Sequence, residues 1–131
     1  SSMNRQIAYW KVSAEHDWET AQALFKSKRY DACLFFCHLT IEKLLKGLVT
    51  LKKGQPAPYI HDLPKLAEHA GLELTSDQLE SLKIITTFNV SARYDSVKFS
   101  FYKICTPSFT RKYFEVSKEL NIWLKKEFQK K

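Results

Sequence analysis

Apolar residues recur every three or four positions through most of the chain, and that spacing predicts helices in preference to strands. From Arg5 to about Ser27 the stripe is Ile7, Trp10, Ala14, Trp18, Ala21, Leu24 and Phe25, with Asp17 at its edge. The second segment, Asp31 to Lys53, is apolar on almost every face through Ala32-Cys33-Leu34-Phe35-Phe36-Cys37, then patterned by Leu39, Ile41, Leu44, Leu45, Leu48 and Val49. A helix of that kind belongs at the centre of a bundle or in an oligomer interface. Gly54 supplies a left-handed residue to close it, and Gln55-Pro56-Ala57-Pro58 cannot continue it.

Asp62 ahead of Leu63-Pro64 predicts a short helix capped by that carboxylate, with Leu63, Leu66 and Ala67 on its buried face and Gly71 at its end. Thr75 and Gln78 have the spacing of a capping box, opening a fourth helix whose stripe runs Leu79, Leu82, Ile85, Phe88 and Asn89 toward Ala92 and stops near Arg93. The stretch Arg93 to Cys105 mixes aromatics and lysines without a clean period and reads as a loop. Thr106-Pro107 starts the last helix, carried by Phe109, Tyr113, Val116, Leu120, Trp123 and Leu124 to about Phe128. The five segments predict an all-α fold, an antiparallel up-and-down helical bundle of about four long helices and one short one, forming a single domain over residues 3–131. Ser1 and Ser2 precede the only methionine, Met3, and read as a remnant outside that domain.

Composition narrows the class further. The 131 residues are 44% hydrophobic with only 3 Gly and 4 Pro, which suits long helices and leaves no room for a two-domain enzyme. No run approaches the ~20 apolar residues of a membrane span and no secretory leader pattern is present, so the expected setting is cytoplasmic, away from membranes. Three cysteines, an odd number, fit reduced buried thiols better than a disulfide framework. Twenty-one Lys and Arg against 14 Asp and Glu give a formal charge of +7, which permits contact with phosphates. Nine of those cations against three Glu lie between Lys98 and Lys131. Phe35, Phe36, Tyr113, Phe114, Trp123 and Phe128 are more large rings than a small bundle readily buries, which predicts a homodimer.

The chemistry is less explicit. There is no Gly-rich phosphate loop, no C-x-x-C and no H-E-x-x-H, so P-loop, zinc-ribbon and zincin chemistry are unsupported. Cys33 and Cys37 sit four apart with His38 following, but thiols inside an apolar run are core residues by default, and no metal or cofactor is expected. His16 and His69 read as solvated helix residues. His38, Glu42 and Lys46 are spaced at four and share one helix face, with Lys43 beside them. That strip suits a phosphate or a partner's acid; alternatively it is a set of i,i+4 pairs each worth ~0.2–0.5 kcal/mol. Arg93 and Tyr94 join a guanidinium suited to phosphate with an aromatic ring, the alternative being an ion pair of Arg93 with Asp95 or Glu42.

Asp17, Arg29-Tyr30-Asp31-Ala32, Glu42-Lys43-x-x-Lys46, His61-Asp62-Leu63 and Ala92-Arg93-Tyr94-Asp95 occur in an order and spacing that resembles the HEPN domain of prokaryotes, over roughly residues 5–128. The resemblance implies a bundle that commonly dimerises and is often encoded with a minimal nucleotidyltransferase, sometimes as a toxin–antitoxin pair. Many relatives are metal-independent ribonucleases, an activity tied to an Arg followed after four to six residues by His; here the Arg is Arg93, and Lys98, Phe99 and Ser100 stand where the His would fall. Lysine, with an ordinary pKa near ~10.4, is a poor proton acceptor at neutral pH.

The resulting expectation is a dimeric HEPN-like binding module. Arg93, Tyr94, Lys43 and Lys46, with Glu42, His38, His61 and Asp62 in the same constellation, would hold a nucleotide, an RNA phosphate or the acidic face of a nucleotidyltransferase-like partner. The alternative is a metal-independent, toxin-type ribonuclease with a rearranged site, which requires His38 or His61 beside Arg93.

Overall fold

The computed structural model describes residues 1–130, which form six helices: α1 (Ser2–Lys26), α2 (Tyr30–Lys53), α3 (Leu63–His69), α4 (Ser76–Thr86), α5 (Asp95–Ile104) and α6 (Pro107–Glu127). Three are long and three short. None is long and apolar enough to cross a membrane. Lys131, counted above among the C-terminal cations, lies outside the described residues.

The apolar density of α2 decides the architecture. Leu34, Ile41, Leu45 and Leu48 are fully buried, and α2 packs against every other helix of the chain's core, chiefly α1 and α6. Burying each such side chain contributes about 1.5–3 kcal/mol. The tight turn at Ser27–Arg29 folds α1 back along α2 as an antiparallel hairpin. On the other side, Ser117 lies beside Cys37 and Glu127 beside Lys52, so α6 runs in the same direction as α2 and opposite to α1. The short helices α3 to α5 return the chain to make that direction possible.

The helix ends follow their capping residues. Asp62 accepts from the Lys65 amide at 3.2 Å, Thr75 and Gln78 form a reciprocal capping box, Thr106 accepts from Phe109, and Gly54 closes α2 at φ 66°.

The Ser1 hydroxyl caps α1 by accepting from the Asn4 amide at 3.2 Å, and Ser2 is the first helical residue. Two expectations are corrected. The fourth helix stops at Thr86 instead of near Arg93. Its last turn is the β-branched run Ile84-Ile85-Thr86-Thr87, in which the Thr86 and Thr87 hydroxyls donate back to the Leu82 and Ile84 carbonyls. The supposed loop at 93–105 contains α5. This helix buries Phe101 and half-buries Val97, one turn apart, and turns its remaining aromatics outward, which erased the period in the sequence.

Of the large rings invoked for a dimer, Tyr113, Phe114 and Phe128 find places within one chain, while Phe35, Phe36 and Trp123 are half-buried. Phe114 stacks between Trp18 and Phe25 at 5.1 and 4.4 Å, Tyr113 packs on Phe88, and Phe128 lies over Gly47. The large apolar side chains left exposed are others, among them Tyr9, Val12, Tyr94, Phe99, Tyr102 and Ile104.

Candidate functional site

Two groupings emerge, one buried and one on the surface. The buried one centres on Glu42 in the middle of α2. Its Oε1 accepts from Nδ1 of His61 at 2.9 Å and lies 3.4 Å from Nε2 of His38, while Oε2 is 3.2 Å from Nζ of Lys46. His38 Nε2 also faces the His61 carbonyl at 3.4 Å. With acceptors on that side only, Nε2 carries the proton, and Nδ1 is left as a buried lone pair with no partner. Burial pushes the His38 pKa below its ordinary value; the nearby Glu42 charge opposes this and does not overcome it. His38 is therefore neutral at pH 7.

Lys46 packs over the Trp10 ring, 5.5 Å from its centroid. Three positions earlier, Lys43 turns to α1, where its Nζ lies 2.6 Å from Oδ2 of Asp17 and 2.7 Å from the Ser13 hydroxyl. Asp17, at the edge of the α1 stripe, is thus a buried partner for a lysine. Lys43 and Lys46, both proposed to meet a ligand, instead have carboxylates of their own chain. Asp62 serves as the α3 cap and joins the constellation only as the neighbour of His61. The residues brought together are His38, Glu42, Lys46 and His61.

Arg93 and Tyr94 lie apart from that network. They occupy the exposed turn before α5, and among the described residues Arg93 forms no ion pair with Asp95, Glu42 or any other carboxylate. Tyr94 is the N-cap of α5 and is 85% exposed. From it the surface continues through Lys98, Phe99, Tyr102 and Lys103; Phe99 and Tyr102 are 59% and 60% exposed and stack in parallel at 6.4 Å, with Lys103 Nζ over the Phe99 ring. Behind Lys98 a cavity of about 260 Å³ opens between α2 and α5, lined by Phe35, Val90 and Phe101. Phe99, Tyr102 and Lys103 were missed because the segment was read as a loop; the signal was the i,i+4 pair Val97 and Phe101, a single buried stripe on an otherwise outward-facing helix.

Cys33, Cys37 and Cys105 are buried thiols. Burial, then the Asp31 charge and Cys33, push Cys105 up to about 12. Among the described residues, no three His, Cys, Asp or Glu side chains are arranged to hold a metal ion.

The HEPN domain model matches residues 7–127, and the chain belongs to that family. Its fold is similar to that of TT1696 from Thermus thermophilus, with a TM-score of 0.75 and 17% sequence identity over 93% of this chain and 98% of that one. No curated protein sequence matches the chain.

Proposed function

We propose that this HEPN domain is a non-catalytic module that binds single-stranded RNA through the turn at Arg93 and the outer face of α5, working as a homodimer. One observation carries the reading: Arg93, Tyr94, Lys98, Phe99, Tyr102 and Lys103 form an exposed run in which cations alternate with rings, with Asp95 the one carboxylate among them, and among the described residues no carboxylate pairs with the cations. Exposed rings offer stacking surfaces to successive bases, worth ~1–3 kcal/mol per base, and the interleaved cations track the backbone. The absence of histidine at 98 to 100 removes the usual base from beside Arg93. A nucleotidyltransferase-like partner remains the alternative occupant of a basic face of this kind.

Titration with a labelled single-stranded RNA at low salt tests the proposal. Binding is expected to weaken as salt rises and to fall on Phe99→Ala or Tyr102→Ala. No binding at low salt overturns it.

A second reading rests on His61. Glu42 is acceptor-only, so His61 donates from Nδ1, and Nε2 of a neutral ring keeps its lone pair on a side chain that is 63% exposed. A carboxylate-oriented histidine of this sort suits a general base in metal-independent RNA cleavage, provided Arg93 of a second copy reaches it. Cleavage of RNA in the presence of EDTA, abolished by His61→Asn, supports that reading; intact RNA ends it.

A further inference from the structure

The Arg29-Tyr30-Asp31-Ala32 stretch takes no part in the Glu42 network. Its first three residues, with Lys28, form one wall of a recess of about 290 Å³ whose opposite wall is the end of α5, contributed by Tyr102 and Lys103 with Cys105 beyond. That size is at the bottom of the ~300–1,000 Å³ range of small-molecule pockets, enough for a phosphate and part of its sugar.

The charges around it are out of balance. Three cationic side chains face one carboxylate, and among the described residues none of the four takes part in an ion pair. Elsewhere in the chain the lysines that approach the core are neutralised, Lys43 by Asp17 and Lys46 by Glu42. Like charges gathered around a concavity repel one another and are relieved by an anion of matching size. Lys28 is held there in a left-handed conformation, φ 61°, that glycine adopts at lower cost. The Tyr30 and Tyr102 phenols add neutral donors to the same recess. Tyr102 is also half of the stacked pair with Phe99, so a chain leaving the recess meets two exposed rings at once.

We propose that this recess binds the terminal phosphate monoester of a single-stranded RNA whose first bases lie on Tyr102 and Phe99. The proposal rests on the RNA-binding reading above and adds recognition of a strand end. A monoester carries nearly two negative charges at pH 7, matching the excess of two cations, whereas an internal diester carries one and must leave in two directions.

The test compares three short RNAs of one sequence, carrying a 5′-phosphate, a 3′-phosphate or hydroxyls at both ends, by fluorescence anisotropy. One phosphorylated strand is expected to bind about tenfold more tightly than the hydroxyl-ended strand, and inorganic phosphate should erode that preference. The Lys28→Gly/Arg29→Ala double variant, which leaves the Arg93–Lys103 run untouched, should erase it while retaining affinity for the hydroxyl-ended strand. Arg29 makes no side-chain cap bond and both residues are exposed, so a thermal melt should confirm an unchanged fold.

Equal affinity for all three strands overturns strand-end recognition and leaves RNA binding standing. If no strand binds, both readings fall. If the double variant keeps the preference but dissociates a dimer in sedimentation, the recess seats a carboxylate of a second copy and the proposal is wrong.

Discussion

His61 donates from Nδ1 to Oε1 of Glu42 across 2.9 Å, tying the segment before α3 to the middle of α2. The same carboxylate holds Lys46, whose side chain is only 8% exposed. Glu42→Gln keeps the shape and removes the charge, leaving a buried ammonium without its counter-ion. Breaking one member of a buried pair typically costs about 3–5 kcal/mol, and a loss near the lower figure is expected because Lys46 also rests on Trp10. Urea unfolding at pH 7 measures it. A loss under about 1 kcal/mol would show that Lys46 reaches water without difficulty.

His38 sets an acid limit on stability. Its folded pKa lies below the ordinary value of ~6.5 because burial disfavours the imidazolium. The unfolded chain therefore binds this proton more readily. Stability should be level with respect to this group above about pH 7 and decline as pH falls through ~6.5 toward the folded value, by at most about 1.4 kcal/mol per pH unit. Comparing urea midpoints between pH 7.5 and 5 for the wild type and His38→Asn isolates the effect, since only the wild type carries this share of the slope.

The placement of α1, α2, α3 and α6 was legible because each has a full buried stripe or a capping signal at one or both ends: Thr106-Pro107, Asp62-Leu63-Pro64 and Gly54, like Thr75 with Gln78 at the start of α4, act within a few residues of themselves. What failed was decided by tertiary contacts. Phe88 is a core residue reached after α4 has ended, so a stripe continued past Thr86 looked helical when only its burial was real. In α5 one buried ring, Phe101, holds a helix whose other rings serve the surface. The spacing of His38, Glu42 and Lys46 correctly placed them on one face; that His61 would join them while Asp17 took Lys43 depends on the α1 and α3 packing, which periodicity does not encode.

Gly47 is a packing glycine. A Cβ built there would lie 2.9 Å from the Phe128 ring and 3.2 Å from Cβ of Trp10. The ring tip can swing away, but Trp10 Cβ is fixed to the α1 backbone, so α1 must shift. Alanine gains about 1 kcal/mol in helix propensity over glycine, while overpacking costs about 1–3 kcal/mol. Gly47→Ala should thus destabilise by about 1 kcal/mol, read from the urea midpoint; a stabilised variant would show that the α1–α2 contact is looser than its geometry implies.

Arg93 separates folding from binding. Its side chain is exposed and, among the described residues, has no carboxylate partner, so nothing in the bundle depends on its fork of donors. Arg93→Lys preserves the charge and therefore most of the long-range attraction to RNA, but loses the planar bidentate match to a phosphate. The melting temperature should stay at the wild-type value, within the ±0.5 kcal/mol usual for surface changes. RNA affinity should fall by about 1–3 kcal/mol, with a salt dependence close to that of the wild type because the number of cations is unchanged. Both quantities are to be measured on one preparation. Unchanged affinity would confine Arg93 to the general positive field and shift the contact to Lys98 and Lys103, whereas lost stability would mean that the turn before α5 uses its guanidinium to hold the fold.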